Sequence, residues 1–428
     1  MLIRSRLQEP LLFDGAMGTM LQHRSDLAFP ELNNLKAPDV VSNVHRVYLE
    51  AGADVVETNT FGANRFKLAQ HGYEEHVWEI NEKAARLAKS AASKAGKDRL
   101  VAGSMGPTGQ LMAPLGTVTF DEVYEAYRTQ AQALAAGGVD LIIVETMLDL
   151  AEARAALLGA LSTGLSVIAQ MTFEDSGLTM MGTSPQVAAC VLSSLGASVV
   201  GANCGLGPAG MLNIIEAMAP IADSVSVMPN AGLPKLVDGV DFYELTPEEM
   251  ASYVPQFIES GANIIGGCCG TTPKHIELMR QSLCHISGRK PTKAGVYTAS
   301  SRQLVQINLG QRAKECSPDD WMQLADEDCS LLVLRNPEEI GMLQMMCPVP
   351  FVFVDVSLEK LETLLKEYNG RALVVPPCTP NESGFHVYAE VAKKFGAILV
   401  LDEYQNIGME VAVKTPVGHD VWWIETGE

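Results

Sequence analysis

The stretch DLIIVET, residues 140–146, sets four apolar residues in a row between Asp140 and the polar pair Glu145-Thr146. A strand with one wet face would alternate apolar and polar residues. An unbroken apolar run of this length reads instead as a strand buried on both faces, as in a parallel sheet covered by helices. Seven further runs share the form: LLFDG (11–15), DVVETN (54–59), RLVAGS (99–104), SVIAQMT (166–172), VVGANC (199–204), VSVMPN (225–230) and NIIGGCC (263–269). Helix-length segments separate them. HRVYLEAGA (45–53), with Gly52, and AYRTQAQALAAGG (126–138), with Gly137 and Gly138, read as amphipathic helices stopped by glycine. Thr246-Pro247-Glu248-Glu249 reads as a helix start with an N-cap, proline at N1 and acids in the first turn. Eight strand-helix repeats predict a (β/α)8 barrel, a TIM barrel, in which catalytic groups sit at the carboxyl ends of the strands. Those ends carry Asp14, Glu57 with Thr58 and Asn59, Ser104, Glu145 with Thr146, Thr172, Asn203 with Cys204, Asn230, and Cys268 with Cys269.

The cysteines carry the chemistry. Cys204 ends the sixth run and Cys268-Cys269 the eighth, so the barrel brings two remote segments to one mouth. Adjacent strand residues point to opposite faces, so Cys268 and Cys269 share one ion only if the chain turns there; Gly266, Gly267 and Gly270 are expected to permit that turn. Three thiolates with one open position is the catalytic arrangement for zinc, a structural site being closed by a fourth protein ligand. Such an electron-rich centre suits alkyl transfer to a thiol better than activation of water for hydrolysis. The competing reading is a metal-poor redox sensor or scaffold that joins Cys268 and Cys269. Cys190, Cys284, Cys316, Cys329, Cys347 and Cys378 lie in helical or apolar contexts and read as inert. If the acceptor thiol belongs to an amino acid it also brings an ammonium, which Asp14 and Glu145 are placed to accept, and a carboxylate, for which N–H groups of Gly15 to Gly18 or Ser104 to Gly106 are candidates. Asn230 is a candidate for the fourth metal position, or simply a turn residue before Ala231-Gly232.

Gly205-Leu206-Gly207-Pro208-Ala209-Gly210 matches a dinucleotide fingerprint in form, but no acid follows at the ribose distance and Pro208 reads as the first residue of a helix. Thr271-Thr272-Pro273 likewise reads as a helix start, and the eight histidines, His275 among them, show no paired ligand spacing and read as structural or solvent-facing. With 51 acidic against 31 basic residues the chain carries a net charge of −20, which disfavours nucleic acid and anionic membrane as partners. No apolar window is long enough for a membrane span and the opening stretch is too short for a signal peptide, so a cytoplasmic protein is expected. Nine cysteines, an odd number, argue for reduced thiols rather than a disulfide framework.

At SGRKPTKAG (287–295) the composition turns polar, placing the barrel at residues 1–287 and a smaller α/β domain at 288–428. There QLVQINL, SLLVLR, PFVFVDVS, RALVVPP, AILVLDE and DVWWIE read as strands, with PEEIGMLQMM, LEKLETLLKEY and FHVYAEVAKKFG as helices between them. That is too short for a second complete barrel.

Together FDGAMGTML, ELNNLKAPDVV, AGADVVETNTFGAN, GPTG, IIVETMLD, GANCGLGP, MPNAGLP and GGCCGTTPKHI resemble the homocysteine S-methyltransferases, in form nearer the cobalamin-dependent branch than the betaine branch. The resemblance implies a zinc ion on Cys204, Cys268 and Cys269, homocysteine held by Asp14 and Glu145, and methionine as product. It covers roughly residues 9–290. The C-terminal domain resembles, more faintly, the first half of a pterin-binding barrel. An expected Asn-Pro-Thr-Gly stretch is missing and Val375-Pro376-Pro377 replaces an expected Asn-Ser, which speaks against folate binding. No cobalamin-binding module is recognised, so the expected donor is methylcobalamin on a corrinoid partner protein acting in trans. S-methylmethionine or a betaine is the alternative. For the C-terminal domain the candidates are a docking surface for that partner or a cover for apolar barrel area.

Overall fold

The computed structural model describes residues 2–22, 27, 29–96, 98–237, 240–284, 295–307, 312–315, 330–338, 340–377, 382–400, 421–422 and 425–426. The expected 287/288 boundary, Cys316, Cys329, Cys378 and most of DVWWIE's surroundings lie outside the described residues. The chain forms two compact units. One comprises residues 1–112, 116–181 and 197–293; the other comprises 113–115, 182–196 and 294–428.

In the first unit all eight expected strands form and are parallel: β1 (Leu11–Leu12), β2 (Val55–Glu57), β3 (Leu100–Met105), β4 (Leu141–Met147), β5 (Ser166–Met171), β6 (Val199–Asn203), β7 (Val225–Met228) and, after a hairpin of β8 (Pro234–Val237) and β9 (Val240–Tyr243), β10 (Ala262–Ile265). Their order is β1-β10-β7-β6-β5-β4-β3-β2, and the parallel bridge Phe13 to Val55 joins the two ends into a barrel. The two seam strands are short, two residues in β1 and three in β2, so closure there rests on few bonds, among them Asp14 N–H to the Val55 carbonyl at 3.0 Å. The interior is filled by one layer after another of branched side chains, including Phe13, Val55, Ala102, Ile143, Ile168, Val199 and Ile264, and Ile3 of the Leu2–Arg6 helix packs with the strand-start residues Leu11, Leu100 and Leu141. The interior is therefore a packed core that admits a hydrogen-bonded pair such as Gln170 and Ser226, and the polar groups of the site gather at the strands' carboxyl ends.

The helices form where local chemistry starts and stops them. Phe120–Gly137 begins at a capping box between Thr119 and Glu122 and ends at Gly138 with φ +94°. Pro247–Ser252 begins at the Thr246–Glu249 capping box, and Pro208–Met218 starts at Pro208, so the glycine-rich GLGPAG stretch is a helix entry. Gly201 on β6 faces β7 so closely that an added Cβ would run into the Ser226 side chain and carbonyl. Gly201→Ala should consequently lower stability by about 1–3 kcal/mol. A urea midpoint equal to that of the parent chain would show the strands can part there at no expense.

His45 lies on the inner face of the Pro38–Glu50 helix with Val41, Val44, Tyr48 and Leu49, wholly buried, and neither ring nitrogen has a partner. Burial pushes its imidazole down to about 4. The unfolded chain takes up this proton at an ordinary pKa near 6.5, so the contribution of His45 to stability is complete above that value and is lost as pH falls toward 4. Between pH 8 and pH 5 it amounts to about 2 kcal/mol. Urea unfolding at the two pH values should show His45→Leu losing less stability on acidification than the parent by that amount; equal losses would contradict this.

The second unit carries an antiparallel pair, β11 (Tyr297–Ala299) with β12 (Leu304–Gln306), and a parallel sheet of β13 (Arg312–Glu315), β14 (Leu332–Arg335), β15 (Phe351–Val354), β16 (Leu373–Val375), β17 (Ile398–Val400), β18 (Val421–Trp422) and β19 (Glu425–Thr426), ordered β18-β17-β16-β15-β14-β13-β19. Leu304–Gln306, within QLVQINL, is thus a strand as expected; it pairs in an antiparallel hairpin, and Arg312–Glu315, not read as a strand, joins the parallel sheet. Tyr368 stacks on Phe351 with ring centroids 5.0 Å apart and gives its hydroxyl to the Ala299 carbonyl, which anchors the hairpin.

Candidate metal centre and acceptor site

Cys204 follows β6 directly and adopts φ +58°, a left-handed conformation that costs a non-glycine residue about 1 kcal/mol or more. The turn is enforced from both sides: Cys204 N–H donates to the Met228 carbonyl at 3.1 Å, and Leu206 N–H returns to the Cys204 carbonyl at 2.7 Å. A side chain that would otherwise continue the strand's alternation is swung into the mouth.

The second segment turns as expected, though with the glycines in different roles. Gly270 alone of the three takes a left-handed φ, +78°. Gly266 and Gly267 are needed for room: an added Cβ would lie 2.8 Å from Phe13 Cβ at the first and 2.5 Å from Thr271 Oγ1 at the second. The turn is stitched by Cys268 N–H to the Pro229 carbonyl (2.9 Å), Thr271 N–H and Oγ1 to the Cys268 carbonyl (3.1 and 2.6 Å) and Gly270 N–H to Thr19 Oγ1 (3.3 Å). Cys269 N–H donates to Asn230 Oδ1 at 3.1 Å, so Asn230, read as a candidate fourth ligand or a turn residue, braces the cysteine turn.

These two turns bring the three sulfurs within 4.8 Å of one another, with Cys204 Sγ and Cys268 Sγ each 4.0 Å from Cys269 Sγ. Two sulfurs bound to one tetrahedral zinc at 2.3 Å would sit about 3.8 Å apart, so the donor set fits that ion with little movement. Charge agrees. The Cys204 thiol is pushed down to about 3 by hydrogen bonds from the Cys268 and Cys269 thiols, while Cys268 is driven up and Cys269 rises to about 11 as they supply those bonds. One thiolate cradled by two thiols is a site in which a soft divalent cation can replace two protons. Tyr243, whose ring lies against Gly270, adds a hydrogen bond to Cys269.

Beside the sulfurs lies a cluster of acids. Asp14, from the end of β1, accepts Glu57 N–H on both oxygens at 3.2 and 3.1 Å. Glu145, on β4, accepts Ser104 Oγ–H at 2.5 Å and Asn203 Nδ2–H at 3.2 Å. The Glu57 side chain shares a hydrogen bond with Glu145. Burial is the main cause that raises the pKa of all three carboxyls; repulsion from Glu145 adds to the rise at Asp14, repulsion from Glu145 and Asp14 to the rise at Glu57, and repulsion from Cys204 to the rise at Glu145. None of the three has an arginine, lysine or histidine in an ion pair among the described residues. Asn203 links the two clusters: its Nδ2 also lies 2.8 Å from Thr146 Oγ1 and 3.8 Å from Cys268 Sγ, its Oδ1 accepts Thr146 N–H at 2.7 Å, and Thr172 Oγ1 holds its carbonyl.

Of the residues read from sequence, Asp14, Ser104, Glu145, Asn203, Asn230 and the three cysteines all meet here. Among the N–H groups considered for a carboxylate, Ser104 N–H is taken by Thr58 Oγ1, Gly106 N–H by the Phe61 carbonyl and Ala16 N–H by Thr271 Oγ1. Gly15 stands where a Cβ would meet Thr271 Oγ1 at 2.5 Å, so its smallness lets the first strand approach the cysteine turn. Glu57 is read from sequence only as one of the polar strand-end groups and Thr271 only as part of a helix start, and nothing local marks Tyr243. His275 is structural, accepting Thr272 N–H at Nδ1 and bonding the Leu245 carbonyl through Nε2. Of the cysteines read as inert, Cys190 is buried, Cys347 half-buried and Cys284 exposed. No helix among the described residues is long and apolar enough to cross a membrane.

Fold and site define a (β/α)8 barrel enzyme with a three-thiol centre beside a buried carboxyl pocket at the strand ends. Residues 11–283 match the family model described as homocysteine S-methyltransferase, and the chain belongs to that family. It is 36% identical over 318 residues to the methionine synthase of Mycobacterium tuberculosis, covering 68% of this chain and 26% of that protein. The methionine synthase of Mycobacterium leprae is 36% identical over 295 residues, covering 64% and 24%. The chain therefore spans about a quarter of the length of these curated relatives. Among solved structures, the Escherichia coli homocysteine methyltransferase MmuM in its metallated form aligns with 26% identity and a TM-score of 0.56, over 65% of this chain and 99% of that one. Its oxidized form gives 26% and 0.55, over 64% and 96%.

Proposed function

We propose that this chain transfers a methyl group to the thiol of homocysteine, yielding methionine, with a zinc ion held by Cys204, Cys268 and Cys269. The observation that carries the reading is the meeting of three sulfurs, two of the separations being 4.0 Å, beside the buried carboxyls of Asp14, Glu57 and Glu145. When bound there, zinc would supply the Lewis acidity that keeps an acceptor thiol deprotonated at neutral pH. The chain's own residues do the rest. Asp14 and Glu145 take the ammonium, Ser104 and Asn203 fix Glu145, and the Asn203 bridge sets the distance between ammonium pocket and sulfur cluster, so that the acceptor sulfur is presented in one place. Its lone pair attacks the methyl carbon in line; the S–C bond forms as the donor–C bond breaks, the donor keeping that electron pair.

The donor proposed is a methyl-corrinoid carried outside these 428 residues, a reading supported by methionine synthase relatives of which the matched stretch makes up only 26% and 24%. Incubating the purified chain with homocysteine and, separately, a methyl-corrinoid protein, S-methylmethionine or betaine, and following methionine, tests it. Turnover with the corrinoid protein alone is expected. Turnover with a small sulfonium or betaine would overturn the donor assignment, and none with any donor would overturn the activity. The domain limits, 1–287 for the barrel and 288–428 for the remainder, and the cytoplasmic setting belong to the same proposal.

A further inference from the structure

Each carboxyl in the pocket has a different set of contacts. Both Asp14 oxygens receive the Glu57 backbone N–H, and the Glu145 oxygens receive Ser104 Oγ–H and Asn203 Nδ2–H. Glu57 Oε1 is buried and no donor reaches it. A buried acceptor without a donor is expensive, and a site that retains one is usually completed by a ligand or water. Three buried carboxyls from the ends of β1, β2 and β4 thus lie together, and among the described residues no cationic side chain forms an ion pair with any of them. A primary ammonium offers three N–H donors and no acceptor, one for each carboxyl.

Resting on the reading of this site as one for an amino-acid thiol, we propose that Glu57 is the third ligand of the substrate ammonium and the residue that makes the site select thiols bearing a primary amine. Asp14 and Glu145 are held by other donors and keep their places whatever enters. Glu57 has only Glu145 as a side-chain partner here, so its carboxyl is the group whose bonding an incoming ammonium changes most. An amide at this position would turn one acceptor into a donor pointed at a cation.

The test compares homocysteine with 4-sulfanylbutanoate, which lacks only the amino group, by titrating each into the cobalt-substituted full chain and following the thiolate-to-cobalt absorption. The parent should bind homocysteine about 10- to 100-fold more tightly. Glu57→Gln should weaken homocysteine by about that factor and change 4-sulfanylbutanoate by less than about 3-fold, and 3-aminopropane-1-thiol, which keeps the amine, should weaken in step with homocysteine. Should thermal melting show Glu57→Gln unfolded, Glu57→Asp, which keeps the charge but shortens its reach, is expected to give the same selective loss. Equal weakening of both acids, or of neither, would overturn this inference alone. If no thiol alters the cobalt spectrum of the parent, the proposed function falls and this role for Glu57 with it.

Discussion

Cys268→Ser is expected to lose zinc by about 10³-fold in affinity and, with it, all measurable methyl transfer. A zinc site in a small protein contributes roughly 10–16 kcal/mol, so each of three or four ligands is worth about 4 kcal/mol, near 10³-fold. The hydroxyl of serine is a far poorer donor to zinc than a thiolate, so little of this should be regained. The fold should survive, because the turn at Cys268 is held by its backbone, N–H to the Pro229 carbonyl and carbonyl to Thr271, rather than by its sulfur. Competition with a chromophoric chelator measures the affinity, and thermal melting checks the fold. Retention of one zinc per chain at parental affinity would remove Cys268 from the ligand set.

Asn203→Asp is expected to lower kcat/KM at neutral pH by about 10²-fold, although it replaces one atom. The Asn203 Nδ2 donates to Glu145 Oε2 and Thr146 Oγ1 and lies 3.8 Å from Cys268 Sγ. A carboxylate there removes those donations and sets a negative charge between a buried acid and a thiolate cluster. Neighbouring groups must then take up protons or move apart. Protonation restores a donor, so activity relative to the parent should recover as pH falls; a deficit that stays constant with pH would point instead to a packing fault. Asn203→Leu, which cannot be rescued by protons, is the control.

Much of this was legible in the chain. Parallel strands buried on both faces leave unbroken apolar runs such as DLIIVET, and all eight runs became barrel strands. The convergence of Cys204 with Cys268 and Cys269 followed from topology alone. What stayed hidden depends on contacts between distant residues. Gly266 and Gly267 look like turn formers, yet they are present because Phe13 and Thr271 crowd them. Glu57 carries the same strand-end signature as Asp14 and Glu145, and only the shared hydrogen bond with Glu145 separates a pocket residue from a solvated one. The β8–β9 hairpin was marked by Asp238-Gly239 between alternating residues, a signal masked by its position inside a long βα connection. In the second unit QLVQINL has the composition of a buried parallel strand, and composition does not specify whether its partner is the next run or the preceding one.

Zinc K-edge absorption of the freshly reduced full chain, recorded without and with homocysteine, tests the central claim most directly. Three sulfur neighbours at about 2.3 Å, rising to four when homocysteine is added, is the result expected. Two or fewer sulfurs, or a count that homocysteine leaves unchanged, would contradict a centre built from Cys204, Cys268 and Cys269 to receive an acceptor thiol.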